Sequence, residues 1–155
     1  MPLRPLRPAG RLPLLAAFLI AGVWLPAAPR VIHVIASDYS LTAPESVRPG
    51  ATTFTLENRG AKFHEMFIGL LRPGAGAAEI VAAHKQGVGF RLLSQFYLDG
   101  DADAALMAAP GKTSAARITV DLLRGRSYVL FCQLRDSVGA LQHAALGMFR
   151  ILRVE

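Results

Sequence analysis

At 155 residues with a formal net charge of +6, the chain suits one domain with a single packed core. Its 17 Lys and Arg against 11 Asp and Glu form no basic cluster interleaved with aromatics, which excludes the footprint of a nucleic-acid binder. A single cysteine excludes an internal disulfide framework.

Residues 1–28 read as a secretory signal peptide. Arg4, Arg7 and Arg11 precede an apolar run from Leu12 to Leu25, and Ala27 and Ala28 supply small residues for cleavage. The run has 14 residues and contains Pro13, short for a membrane span of about 20. Retention as an N-terminal anchor is the alternative, and only then would the protein meet a membrane. Cleavage removes three arginines, so the charge falls from +6 to about +3. Residues 30–155 are then the folded domain, exported to a periplasm or secreted. In such an oxidising compartment cysteines usually pair, so lone Cys132 implies an intermolecular bond, a reactive thiol or a ligand.

Along the domain, VIHVIAS (31–37) is β-branched and apolar and reads as a strand, and SVRPG (46–50) as a turn. ATTFTLENRG and KFHEMFIGLL follow, joined by a short polar segment, and read as neighbouring antiparallel strands. AGAAEIVAAHKQG is rich in helix formers and predicts a helix over 77–86, stopped by Gly87. Residues 89–112 read as a long connection with one more helical turn over 92–98. ARITVDL and SYVLFCQL, around Arg124-Gly125, read as a hairpin, and a last strand runs over 145–154. Short strands separated by turns, with one inserted helix, predict a mainly β, two-sheet antiparallel sandwich.

The chemistry concentrates in four donors. Cys132 lies near the end of an apolar strand, and His143 and Met148 flank the start of the next, so the connecting loop brings all three to one end of the sandwich. His64 starts a strand 68 residues before Cys132 and joins them only through the fold. Two imidazoles and a thiolate make a trigonal set suited to copper, and a thioether at longer range completes an electron-transfer arrangement. Each donor alone has a plainer reading: Cys132 as a small buried apolar residue, His143 as a strand terminator, Met148 as core, His64 as a strand residue bonded to backbone. Met66 shares a face with His64 and reads as core or as a further Cu(I) donor. His33 and His84 read as structural or solvated, Tyr128 as a packing and corner hydrogen-bond residue. Glu65, Arg135 and Asp136 read as loop or surface charges, with a carboxylate near a ligand able to orient an imidazole.

NRGAKFHEM, GRSYVLFC and HAALGMFRILRV resemble the cupredoxins, the blue type 1 copper proteins of the plastocyanin and azurin type, over roughly residues 31–155. The resemblance implies a Greek-key β-sandwich holding one mononuclear copper ion, with His64, Cys132 and His143 as strong ligands and Met148 as the axial one. Two features depart from the family pattern: the ten residues between Cys132 and His143 make a longer loop, and Glu65 follows the first histidine where small polar residues are commoner. The function implied is single-electron transport with partner redox proteins. Two rivals stand beside it: a copper chaperone or storage protein serving copper-handling partners, with Met66 among its donors, and a copper-free scaffold that binds a protein partner. The chain has no nucleophile elbow, HExxH, phosphate loop or paired acid motif, so the reading is a carrier rather than an enzyme.

Overall fold

The computed structural model describes residues 28–100 and 104–155; the signal segment expected over residues 1–28 lies, but for Ala28, outside them. Among the described residues no helix is long and apolar enough to cross a membrane. The strands are β1 (Arg30–Ser37), β2 (Ser40–Thr42), β3 (Ser46–Val47), β4 (Gly50–Asn58), β5 (His64–Leu70), β6 (Ala104–Ala108), β7 (Ile118–Leu122), β8 (Ser127–Phe131) and β9 (Phe149–Val154). Helix α1 (Ala77–Lys85) and the single turn α2 (Phe90–Leu93) lie between β5 and β6, and a 3-10 turn (His143–Leu146) precedes β9. The helix over 77–86 thus forms as expected.

Two sheets face each other, ordered β2-β1-β4-β7 and β3-β9-β8-β5-β6. Most pairs are antiparallel, but β1 runs parallel to β4 and β3 parallel to β9. Strand alternation divides the apolar residues between two cores. On β8, Tyr128 and Leu130 point between the sheets, followed in phase by Cys132, and meet Phe54, Leu56 and Met66 there. Val129 and Phe131 point outward instead, against Ile80 of α1, Leu93, Tyr97 and Ala144. The helical excursion therefore forms a third layer on the outer face of the second sheet. The lone cysteine stands at the end of the inter-sheet core.

Four details of the sequence reading are corrected. β4 and β5 are not hairpin neighbours, because they belong to different sheets. The link between them is shaped by buried Asn58, whose Nδ2 donates to the carbonyls of Lys62 (2.8 Å) and Ala108 (2.9 Å) and whose Oδ1 accepts from Gly60 N (2.8 Å). Those bonds turn the chain across the sandwich. β7 and β8 also cross between sheets rather than forming a hairpin, and the corner is held by Leu123 N donating to the Tyr128 hydroxyl at 3.2 Å. Residues 46–50 contain β3 rather than only a turn, recruited by β9. The long connection over 89–112 contains β6, which pairs with β5 and buries Leu106 and Ala108 on alternate positions. Its Ala-rich composition carries no β signal, so partner strand and burial decide its conformation.

Candidate metal centre

β8 and β9 are antiparallel neighbours, so the segment between them must return to its starting point. It does so through backbone bonds at its base: His143 N donates to Leu134 O and Ala144 N to Cys132 O, both at 2.8 Å, and Met148 N donates to His143 O at 2.9 Å. His64 opens β5, which pairs with β8 on its other side. One donor atom each from His64, Cys132 and His143 lies within 4.8 Å of the others, and all three residues are buried. Cys132 Sγ stands 3.5 Å from His143 Nδ1, and the two imidazole centroids are 5.3 Å apart at 70°. A trigonal ion with bonds of roughly 2.0–2.3 Å, the range zinc takes with these donors, needs donor separations of this order.

Hydrogen bonding sorts the four ring nitrogens. His64 Nε2 donates to Asp38 Oδ1 at 3.0 Å, and His143 Nε2 donates to Asp136 Oδ1 at 3.1 Å. A carboxylate only accepts, so each bond places the proton on Nε2 and leaves Nδ1 a lone pair. His143 Nδ1 then accepts from the Cys132 thiol. His64 Nδ1 is buried with no hydrogen-bond partner. An unsatisfied buried polar atom costs about 1–3 kcal/mol, a cost that a metal at this position removes.

Burial pushes the Cys132 thiol up to about 11, with the nearby Glu65 carboxylate acting in the same direction. Burial also lowers the His143 pKa, opposed by its bond to Asp136. The ring is therefore neutral and able to donate its lone pair at neutral pH. Asp136 titrates far below the usual carboxylate range because Tyr39, Lys62 and His143 donate to it. Asp38 is likewise lowered, first by His64 and then by Ala61 N.

Met148 is fully buried in the inter-sheet core, its carbonyl accepting from Cys132 N at 3.2 Å. Met66 belongs to the same core. His33 bonds Thr55 Oγ1 at 2.9 Å, away from the cluster. His84 is fully buried: Nδ1 bonds Gln142 Oε1 and Nε2 the Tyr97 hydroxyl, both at 2.6 Å. It thereby ties α1 to the residue preceding His143. Glu65 is no surface charge, being 7% exposed; its Oε1 accepts from Gln133 N at 3.0 Å and binds the chain leaving Cys132 to the chain leaving His64. Burial raises its pKa against the effect of that bond.

The sequence reading misses three residues. Asp38 and Tyr39 form the turn between β1 and β2, and Lys62 lies in the β4–β5 link. Tyr39 and Lys62 both bond Asp136, and the Tyr39 ring packs edge-on against His143 at 5.2 Å. The one sequence signal is Gly60, where a Cβ would lie 2.3 Å from Asp38 Oδ1 and 2.9 Å from His64 Nε2.

No protein-family model and no curated protein sequence matches the chain. Solved structures do. A dithionite-reduced auracyanin from the photosynthetic bacterium Roseiflexus castenholzii is 22% identical, with 83% of this chain and 99% of that chain covered and a TM-score of 0.52. Auracyanin A, a blue copper protein from Chloroflexus aurantiacus, is 16% identical over 83% of this chain and all of that one, at 0.49. Reduced rusticyanin is 19% identical over 83% and 82%, at 0.48. The first of these likenesses, together with the two-sheet order and the position of the cluster at one end of the inter-sheet core, establishes that the chain has the cupredoxin fold.

Proposed function

We propose that the protein is an exported electron carrier that would hold one copper ion through His64 Nδ1, Cys132 Sγ and His143 Nδ1, with Met148 as a weaker further donor. The observation that carries this reading is the orphaned, buried Nδ1 of His64 beside the paired Cys132 and His143. Copper bound there would supply a one-electron couple that a thiolate and two imidazoles suit in both oxidation states. Cys132 would give up its proton to serve as the soft donor. The two imidazoles present lone pairs already oriented, and the packed ends of β5, β8 and the 3-10 turn keep the donor set from rearranging between oxidation states. A site that moves little reorganises little, which favours fast electron exchange.

Burial of all three donors favours a retained ion over the exchangeable one that a chaperone requires. The expected electron partners are redox proteins, and the protein itself is not an enzyme. Export rests on the basic and then apolar residues at the start of the chain.

Reversible voltammetry of the copper-loaded protein tests the carrier reading. One equivalent of copper should cycle between oxidation states without release to a chelator. Tight Cu(I) binding with loss of the ion on oxidation would point to copper storage instead.

A further inference from the structure

The two imidazoles of the cluster come from segments far apart in the chain, β5 and the 3-10 turn before β9, yet their outer edges are treated alike. Each Nε2 meets one carboxylate oxygen, Asp38 Oδ1 at 3.0 Å and Asp136 Oδ1 at 3.1 Å. Asp38 lies in the turn after β1, 26 residues before the histidine that it holds, and Asp136 in the loop after β8, seven residues before its own. Asp38 is fixed by accepting from Ala61 N (3.0 Å) and Lys62 N (3.2 Å). Asp136 is fixed by Lys62 Nζ at 2.9 Å and by the Tyr39 hydroxyl. Lys62 also lies over the Tyr39 ring, 5.8 Å from its centroid. The turn after β1, the link before β5 and the loop after β8 are thus laced together around the outside of the cluster.

Two costs built into this lacing are hard to explain by packing alone. Tyr39 adopts φ +63°, a left-handed conformation that costs a non-glycine residue about 1–2 kcal/mol. A Cβ at residue 60 would lie 2.3 Å from Asp38 Oδ1 and 2.9 Å from His64 Nε2, so it would have to displace the Asp38–His64 contact. His143, although it lines a surface cavity of about 450 Å³ beside Lys62, Phe63 and Arg135, is only 1% exposed. Its outer edge is closed by Asp136 and the Tyr39 ring.

We infer that Asp38 and Asp136 are paired positioning residues that lock both imidazoles as Nε2–H tautomers, aim both Nδ1 lone pairs at the metal and, as anions, favour Cu(II) over Cu(I). This rests on the copper reading above. A carboxylate accepting from one ring nitrogen fixes the tautomer and increases electron density at the other. Added negative charge near the ion stabilises the higher oxidation state more than the lower.

Alanine and asparagine variants at both positions test the inference. In the metal-free protein, ¹⁵N–¹H correlation should show His64 and His143 as Nε2–H tautomers. Asp38→Ala should release His64, and Asp136→Ala should release His143, into Nδ1–H populations. Asp38→Asn and Asp136→Asn retain an accepting oxygen, so the tautomers should hold while the negative charge is lost. In each asparagine variant Cu(II) affinity should fall about tenfold or more relative to Cu(I) affinity, and each tenfold raises the reduction potential by about 59 mV. Wild-type Nδ1–H tautomers, tautomers unmoved by the alanine changes, or potentials unmoved by the asparagine changes would each overturn it. Should the protein take no copper, the carrier reading falls, while the metal-free spectra still decide whether the aspartates set the tautomers.

Discussion

Cys132 Sγ lies 3.5 Å from His143 Nδ1 although a ten-residue loop separates the two residues in the chain. The length is absorbed away from the donors. The backbone pairs Cys132–Ala144 and Leu134–His143 close the base of the loop, and the residues between bulge outward, with Val138 fully exposed.

Because that thiol is pushed up to about 11, metal must displace its proton at any ordinary pH. Metal affinity should therefore rise about tenfold per pH unit between roughly pH 7.5 and 9.5, one proton being released per ion. Competition titrations at several pH values measure the slope. Calorimetry in buffers of different ionisation enthalpy counts the proton.

Gly60 is a second point of sensitivity. A Cβ there would intrude on both Asp38 Oδ1 and His64 Nε2, so Gly60→Ala should weaken metal binding about 10–100-fold, the usual cost of losing an outer partner of a ligand. Gly89→Ala, where nothing lies within 4 Å, is the control and should bind as the wild type does. Chelator competition reads both.

Glu65 yields a stability prediction with a definite sign. Its folded pKa is raised above the ordinary 4.5 by burial, so its contribution to stability is fully present below about pH 4.5 and lost as pH rises through the folded value. Glu65→Gln keeps an oxygen for Gln133 N and removes the buried charge. It should match or exceed the wild type at pH 7, with the advantage disappearing below pH 4.5. Glu65→Ala leaves Gln133 N unpaired and should cost about 1–3 kcal/mol. Urea unfolding across this pH range separates the three proteins.

His84 anchors the loop from the other side. Replacing it with leucine strands the Gln142 amide and the Tyr97 hydroxyl, both now bonded at 2.6 Å, at about 1–3 kcal/mol for each buried group left unpaired. Thermal unfolding should show the loss. Since Gln142 directly precedes His143, metal affinity should fall with it.

The grouping of His64, Cys132 and His143 was legible in the sequence because their side-chain chemistry is rare and their order is informative. A lone cysteine with His143 beyond it, and His64 at a strand start, need only a sandwich to bring them together. The sheet crossings were not legible. Asn58-Arg59-Gly60 and Arg124-Gly125 carry turn chemistry, but turn chemistry does not say whether the next strand pairs with the last or crosses to the opposite sheet. β6 was hidden by its composition. Asp38 was hidden because its partner stands 26 residues away and a turn aspartate usually serves its own backbone. Glu65 read as a surface charge because only the register of β5 against β8 places it over Gln133.

The most direct test of the central claim is the absorption spectrum of the purified protein loaded with one equivalent of Cu(II). Ligation by Cys132 within a histidine pair predicts an intense thiolate-to-copper charge-transfer band in the visible region, abolished by Cys132→Ser and altered by His64→Ala or His143→Ala. Copper bound without that band, or a band that survives Cys132→Ser, would contradict the account.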